Sequence, residues 1–165
     1  MRSGPVVDAA RGVTQGGVAD AGAAALRQAS GSLQVATRGQ HFYDITREVG
    51  GWLASVGAVE GLLTCFVRHT SASLVIQENA DPDVQRDLID VLGQLAPEHA
   101  GYRHDSEGSD DMPAHVKSML TAVSLSVPVL AGRMRLGTWQ GLYLAEHRRA
   151  PHRREVALHF IGSIG

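Results

Sequence analysis

Three histidines stand where the chain could deliver imidazole nitrogens to one place. His69 ends the apolar run Gly61-Leu-Leu-Thr-Cys-Phe-Val-Arg-His69, and the small residues Thr70-Ser-Ala-Ser73 follow before apolar character resumes. His104 lies in the polar stretch Tyr102-Arg-His-Asp-Ser-Glu-Gly-Ser-Asp-Asp111, and His115 comes one helical turn after Asp111. Three neutral imidazoles plus an open position is a common arrangement for catalytic zinc. The spacing is not a local metal motif such as HExxH, so on spacing alone solvated or singly hydrogen-bonded histidines are the preferred reading.

The acids form a second group. Glu78, Asp105, Glu107, Asp110 and Asp111 have the chemistry to bind a divalent cation or to act as general bases. Alternatively, Asp110 or Asp111 caps a helix and the others are solvated loop charges. Ser71 and Ser73 lie near His69, but no GxSxG elbow surrounds them, which argues against a serine nucleophile. Cys65 alternates within an apolar strand and reads as a small buried hydrophobe rather than an activated thiol. In Gly137-Thr-Trp-Gln-Gly-Leu-Tyr-Leu-Ala-Glu-His-Arg148, Gly141 would admit another backbone or a ligand. Gln140 and Glu146 share one face of that strand, opposite Trp139 and Tyr143; the bland reading is a wet face and a core face. Arg148, Arg149, Arg153 and Arg154 cluster at the following turn, as a phosphate grip or as solvated charge.

The elements that must position these residues follow from hydrophobic periodicity. Leu33, Val35 and Thr37 alternate as a half-buried strand, and Asp44 or Thr46 can cap a helix with the stripe Ile45, Val49, Trp52, Leu53 and Val56. Leu62–Arg68 and Ala72–Gln77 read as strands. Asp81-Pro-Asp83 starts a helix carrying Val84, Leu88, Val91, Leu92 and Leu95 on one face, and a shorter helix runs from Asp111 to about Ala122. Further strands are expected over Leu125–Leu130, Arg133–Leu136, Thr138–His147 and Glu155–Ile161. Seven strands and three helices predict an α+β domain with a two-layer or sandwich-like sheet arrangement.

The totals fit one domain. The chain has 165 residues, 44% of them apolar, and a net charge of −2, which leaves no electrostatic footprint for nucleic acid or an anionic membrane. One cysteine excludes an internal disulfide and points to a reducing, cytoplasmic setting. No apolar run approaches the ~20 residues that cross a bilayer. Residues 1–31 are rich in Ala and Gly and lack the apolar core of a signal peptide. They read as a flexible N-terminal extension with a short helix near Ala21–Gln28, leaving residues 32–165 as the folded domain.

Taken together, His69-Thr-Ser-Ala-Ser-Leu, Gln77-Glu-Asn-Ala-Asp-Pro, Tyr102-x-His104, Ser109-Asp-Asp-Met-Pro-Ala-His-Val-Lys117, Pro128-Val and Gly137-Thr-Trp-Gln-Gly-Leu-Tyr-Leu-Ala-Glu-His-Arg148 resemble the YjbQ-like family of secondary thiamine-phosphate synthase enzymes. The matches run in the family's order from about Ser32 to Gly162; Gln77 stands where many members carry asparagine. The resemblance implies a YjbQ-like α+β fold of antiparallel or mixed sheets with about three helices, a homotrimer, and a histidine-gathering site between subunits. It implies a divalent metal, zinc or similar with magnesium as the alternative, held by His69, His104 and His115. Glu78, Asp111, Lys117 and Glu146 become the expected catalytic residues, and Thr70, Ser71, Asn79, Gln140 and Arg148 the expected anion-binding ones. The implied activity is a weak joining of hydroxymethylpyrimidine pyrophosphate to a thiazole phosphate, with Lys117 and Arg148 near the leaving pyrophosphate. A non-enzymatic trimeric binder of a metal or phosphorylated metabolite and a metal-assisted hydrolase are the alternatives.

Overall fold

The computed structural model describes residues 26–165. Eight strands and three helices follow in the order β1 (Arg27–Ala36), β2 (His41–Asp44), α1 (Thr46–Ser55), β3 (Ala58–Val67), β4 (Ala72–Glu78), α2 (Pro82–Leu95), α3 (Asp111–Leu120), β5 (Ser124–Leu130), β6 (Arg133–Met134), β7 (Gln140–Glu146) and β8 (Arg153–Ile164). They form two antiparallel sheets, five-stranded in the order β1-β8-β3-β5-β6 and three-stranded in the order β2-β7-β4. The α+β class and the sandwich-like layering are as the periodicity predicts, and β2 is the strand it missed. Strand β1 starts at Arg27, so residues 27–31 pair with β8 and belong to the domain rather than to the extension. Most of the proposed Ala21–Gln28 helix lies outside the described residues, and its last two positions are strand.

Period-two alternation builds the core. Leu63, Cys65 and Val67 of β3 point inward with Val127, Val129, Val156, Leu158 and Phe160, and meet Ala72, Leu74, Leu142 and Leu144 from the smaller sheet. Helix α1 adds Ile45, Val49 and Leu53 to the same core. Its first turn is held by Asp44, whose Oδ1 accepts the Thr46 N–H at 2.8 Å. Helix α2 covers the other face of the smaller sheet through Leu88, Ile89 and Leu92 against Phe42, Tyr143 and Ala145. Asp81 caps it as expected, accepting the Asp83 N–H at 2.9 Å. Strand β7 is therefore covered on both faces, and Glu146, expected on a wet face, is only 2% exposed.

Two glycines are required by packing. Gly61 faces Gly162 in the β3–β8 register, and a β-carbon at Gly61 would sit 2.2 Å from the Ile161 carbonyl oxygen. Gly61→Ala is expected to destabilise the domain by about 1–3 kcal/mol, read as a lower midpoint in chemical denaturation with an unchanged slope. Gly141 has a different cause from the one expected. A β-carbon there would meet the Tyr143 ring at 2.7–2.8 Å, so the close neighbour is a side chain of the same strand.

Candidate functional site

Helix α3 and the loop before it bring Asp111, His115 and His104 together. Asp111 and His115 are four residues apart on one helical face, and His104 folds back over them from the loop. One nitrogen from each ring and one carboxylate oxygen lie within 4.8 Å of one another. Asp111 Oδ2 is 2.8 Å from His104 Nε2 and 3.4 Å from His115 Nε2. The two ring centroids are 5.7 Å apart. Asp111 is buried, and its other oxygen accepts from Arg148 Nη1. Asp111 is not a helix cap, since no side-chain hydrogen bond caps α3; its carboxylate is shared among Arg148 and the two histidines.

The contact behind His115 fixes its tautomer. His115 Nδ1 is 3.1 Å from the Thr70 carbonyl oxygen, which can only accept, so Nδ1 carries the proton in the neutral ring. Its Nε2 lone pair is then left free 3.4 Å from Asp111 Oδ2. Two acceptors this close suit a shared cation, and a backbone carbonyl holding the far nitrogen is the usual support of a ligating histidine. The donor set fits a zinc-like ion better than magnesium, which prefers oxygen ligands and retained water.

His69 does not join this cluster. Its Nε2 accepts the Glu155 backbone N–H at 2.9 Å, so that lone pair is already used. Of the three expected ligands, the structure gathers two histidines with Asp111 as the third donor. His69 and His115 instead line a common groove of about 620 Å3, with Thr70 and Ser118 at their level and Phe66, Met119 and Val123 as apolar walls.

Several other expected residues have different tasks. Glu146 accepts from Arg154 Nε at 2.7 Å, Arg154 Nη2 at 2.6 Å, Thr37 Oγ1 at 2.7 Å and the Arg148 N–H at 2.9 Å. Burial raises its pKa, but these donors, Arg154 foremost, overcome that and hold it below the usual carboxylate range. A carboxylate so saturated is a structural anion, not a catalytic base. Ser71 Oγ accepts from Arg154 Nη2 at 3.1 Å, so it is likewise committed. Arg148 binds Asp111, Asp110 Oδ2 at 3.2 Å and the Glu107 carbonyl at 2.7 Å, which staples the His104 loop rather than leaving a free anion grip. Lys117 is buried, with its pKa lowered chiefly by desolvation. It lines a cavity of about 10 Å3 with Gln40, Phe42, Ile89, Leu92, Glu146 and His147, room for about one water.

Glu78, Asn79 and Gln140 lie at the opposite end of the β4–β7 pair, where Glu78 faces Gln140 while Ala72 faces Glu146. The seven residues of β4 separate them from the histidines by about 20 Å within one protomer. There Asn79 Nδ2 donates to the Thr138 and Gln140 carbonyls at 3.4 and 3.3 Å, and Gln140 Oε1 accepts the Gly137 N–H at 2.8 Å. The sequence reading missed the buried set of Thr37, Ser73, His147 and Arg154. A signal was present: Arg154 shares the inward parity of Val156, Leu158 and Phe160, and Glu146 that of Leu142 and Leu144.

Comparison with known proteins places the family and the fold. The profile of the family described as UPF0047 protein YjbQ-like matches residues 31–163. The chain belongs to the YjbQ-like UPF0047 family. Among YjbQ-like relatives, UPF0047 protein sll1880 of Synechocystis is 50% identical over 143 residues, 86% of this chain and 97% of that protein. A Clostridium acetobutylicum structure of the yjbq/upf0047 family superimposes with a TM-score of 0.70 at 36% identity, covering 80% of this chain and 98% of that one. A YbjQ-like protein of Sulfolobus solfataricus shares the fold, with a TM-score of 0.77 at 21% identity, over 84% and 99% of the two chains. Among the described residues of this YjbQ-like chain, no helix is long and apolar enough to cross a membrane.

Proposed function

We propose that this chain is a zinc-type metal protein that hydrolyses or otherwise activates a small phosphorylated metabolite in the groove beside His115. The observation that carries this reading is the convergence of His104 Nε2, Asp111 Oδ2 and His115 Nε2 within 4.8 Å, with the His115 tautomer set by Thr70. An ion in such a site supplies Lewis acidity toward a ligand oxygen or a water molecule. The chain's own part is to aim these donors: Arg148 holds Asp111, the Thr70 carbonyl orients His115, and the groove admits a ligand of ordinary metabolite size.

The thiamine-phosphate synthase reaction is the finer reading, and the chain offers it little support. A leaving pyrophosphate needs cations where its charge develops. Arg148 is engaged by three protein acceptors and Lys117 is buried away from the groove, so any synthase turnover would be a slow side activity. A homotrimer remains part of the proposal. The outer face of the five-stranded sheet exposes Leu62, Leu130 and Ile161, an apolar surface suited to a second copy. The Glu78–Asn79–Gln140 end would reach the histidine groove only from another subunit.

Elemental analysis of the purified protein tests the metal directly, with about one zinc per chain expected. His115→Ala is expected to lower zinc affinity more than His104→Ala, because His115 is held on a helix with a fixed tautomer, whereas the His104 side chain sits on a loop and is 43% exposed. Equal retention of zinc by both variants would remove the site. Turnover of a phosphate monoester by the zinc-loaded chain, exceeding turnover of the two thiamine precursors, is the expected activity pattern; stoichiometric binding with no turnover would reduce the protein to a binding module.

A further inference from the structure

The groove contains one ring whose role the metal reading leaves open. His69 is partly buried, lines the same groove as His115, and has its Nε2 engaged by the Glu155 backbone N–H at 2.9 Å. A backbone amide only donates, so Nε2 must present its lone pair and the neutral ring carries its proton on Nδ1. Among the described residues Nδ1 has no hydrogen-bond partner. His69 is thus a fixed N–H donor, already oriented from behind by the main chain of β8.

We infer that His69 donates this N–H to an anionic oxygen of the ligand, whose apolar body lies against Phe66, Met119 and Val123. The inference rests on the reading of the groove as a phosphometabolite site and adds a recognition rule to it. The polar lining comprises His69, the exposed Thr70 and His115; the apolar lining is a half-exposed phenylalanine, a methionine and a valine. Volume and lining suit a phosphoryl or carboxyl head joined to a flat or aliphatic group, not a free inorganic ion. Burial and the Arg154 charge also lower the His69 pKa, which favours the neutral donor over an imidazolium.

The fold contact and the donor can be separated by His69→Met. Its thioether sulfur can still weakly accept the Glu155 N–H, and it carries no donor toward the groove. With zinc-loaded full-length protein, calorimetric titration with phenyl phosphate and with inorganic phosphate is expected to show phenyl phosphate binding more tightly. H69M should weaken both by about 10-fold, the worth of one hydrogen bond to a charged group, with zinc content unchanged. Phe66→Ala should reduce phenyl phosphate toward the affinity of phosphate and leave phosphate unaltered. Two-bond nitrogen–proton NMR should find the His69 proton on Nδ1, with or without zinc.

Loss of zinc in H69M would make His69 a metal ligand and overturn the inference. So would parental affinity of H69M for both probes, or a proton found on Nε2. Failure of the parent protein to bind either probe would overturn the ligand class. The NMR measurement and the phosphate titration also run on the metal-free chain. A protein that takes up no zinc therefore sinks the metal reading while the donor role is still decided.

Discussion

Arg154→Met is expected to destabilise the domain by about 3–5 kcal/mol, the largest single effect on folding. Arg154 is 4% exposed and Glu146 is 2% exposed, and they are joined by two parallel N–H···O bonds of 2.6 and 2.7 Å. Removing the guanidinium leaves a carboxylate inside the sandwich with only Thr37 and one main-chain amide to stabilise it. Replacing both partners by apolar residues of similar size should recover much of the loss, because the pair itself carries a desolvation cost. Urea denaturation of the single and double variants reads both results, and a stable single variant would show that the acid has another partner.

Acid sensitivity follows from the same region. His147 is buried, donates to or accepts from Ser73 Oγ at 2.8 Å, and is lowered to about 4, by burial first and then by the Lys117 charge. The unfolded chain binds a proton at His147 near 6.5, so its contribution is complete above that pH and is lost between about 6.5 and about 4. The sum over that window is at most about 3 kcal/mol. Glu146, lowered relative to an ordinary carboxylate, adds a second loss only as pH falls below the carboxylate range. Stability measured against pH should therefore begin to fall near pH 6.5 and steepen below about 4.5; His147→Gln should flatten the upper part alone.

The second large effect is on metal binding. Asp111→Asn is expected to lower zinc affinity by about 100-fold or more, since it removes the charge of the one carboxylate among the three donors. Arg148 keeps Asp110 and the Glu107 carbonyl, so the loop should stay in place and the cost to folding should be smaller, about 1–3 kcal/mol. Equilibrium dialysis against zinc, alongside thermal denaturation, separates the two. Undiminished affinity would mean that the carboxylate serves Arg148 alone.

Much of this fold was legible in the chain because local signals agree. The Asp81-Pro82 start of α2, the alternation in β3 and the stripe of α1 each point to the element that forms. Strand β2 escaped notice because four residues, His41–Asp44, are too few for a period to emerge, and tertiary pairing with β7 decides their state. The site was half legible. Asp111 and His115 are a local i, i+4 pair, whereas His104 joins through a loop whose path no periodicity encodes. His69 misled for a subtler reason: residue type suggests a ligand, but tautomer is set by a main-chain amide from β8, 86 positions away. Arg148 and Glu146 misled in the same way, since charge near a turn says nothing about the partner already waiting across the fold.

Cys65 gives the sandwich an internal reporter. It is the sole cysteine of the chain, it is fully buried between the sheets, and burial pushes its thiol up to about 12. Disulfide reagents added to the native protein thus meet neither an accessible sulfur nor a thiolate. Labelling at this position becomes a clock for separation of the two layers, with a rate set by how often the whole molecule opens rather than by events at its surface.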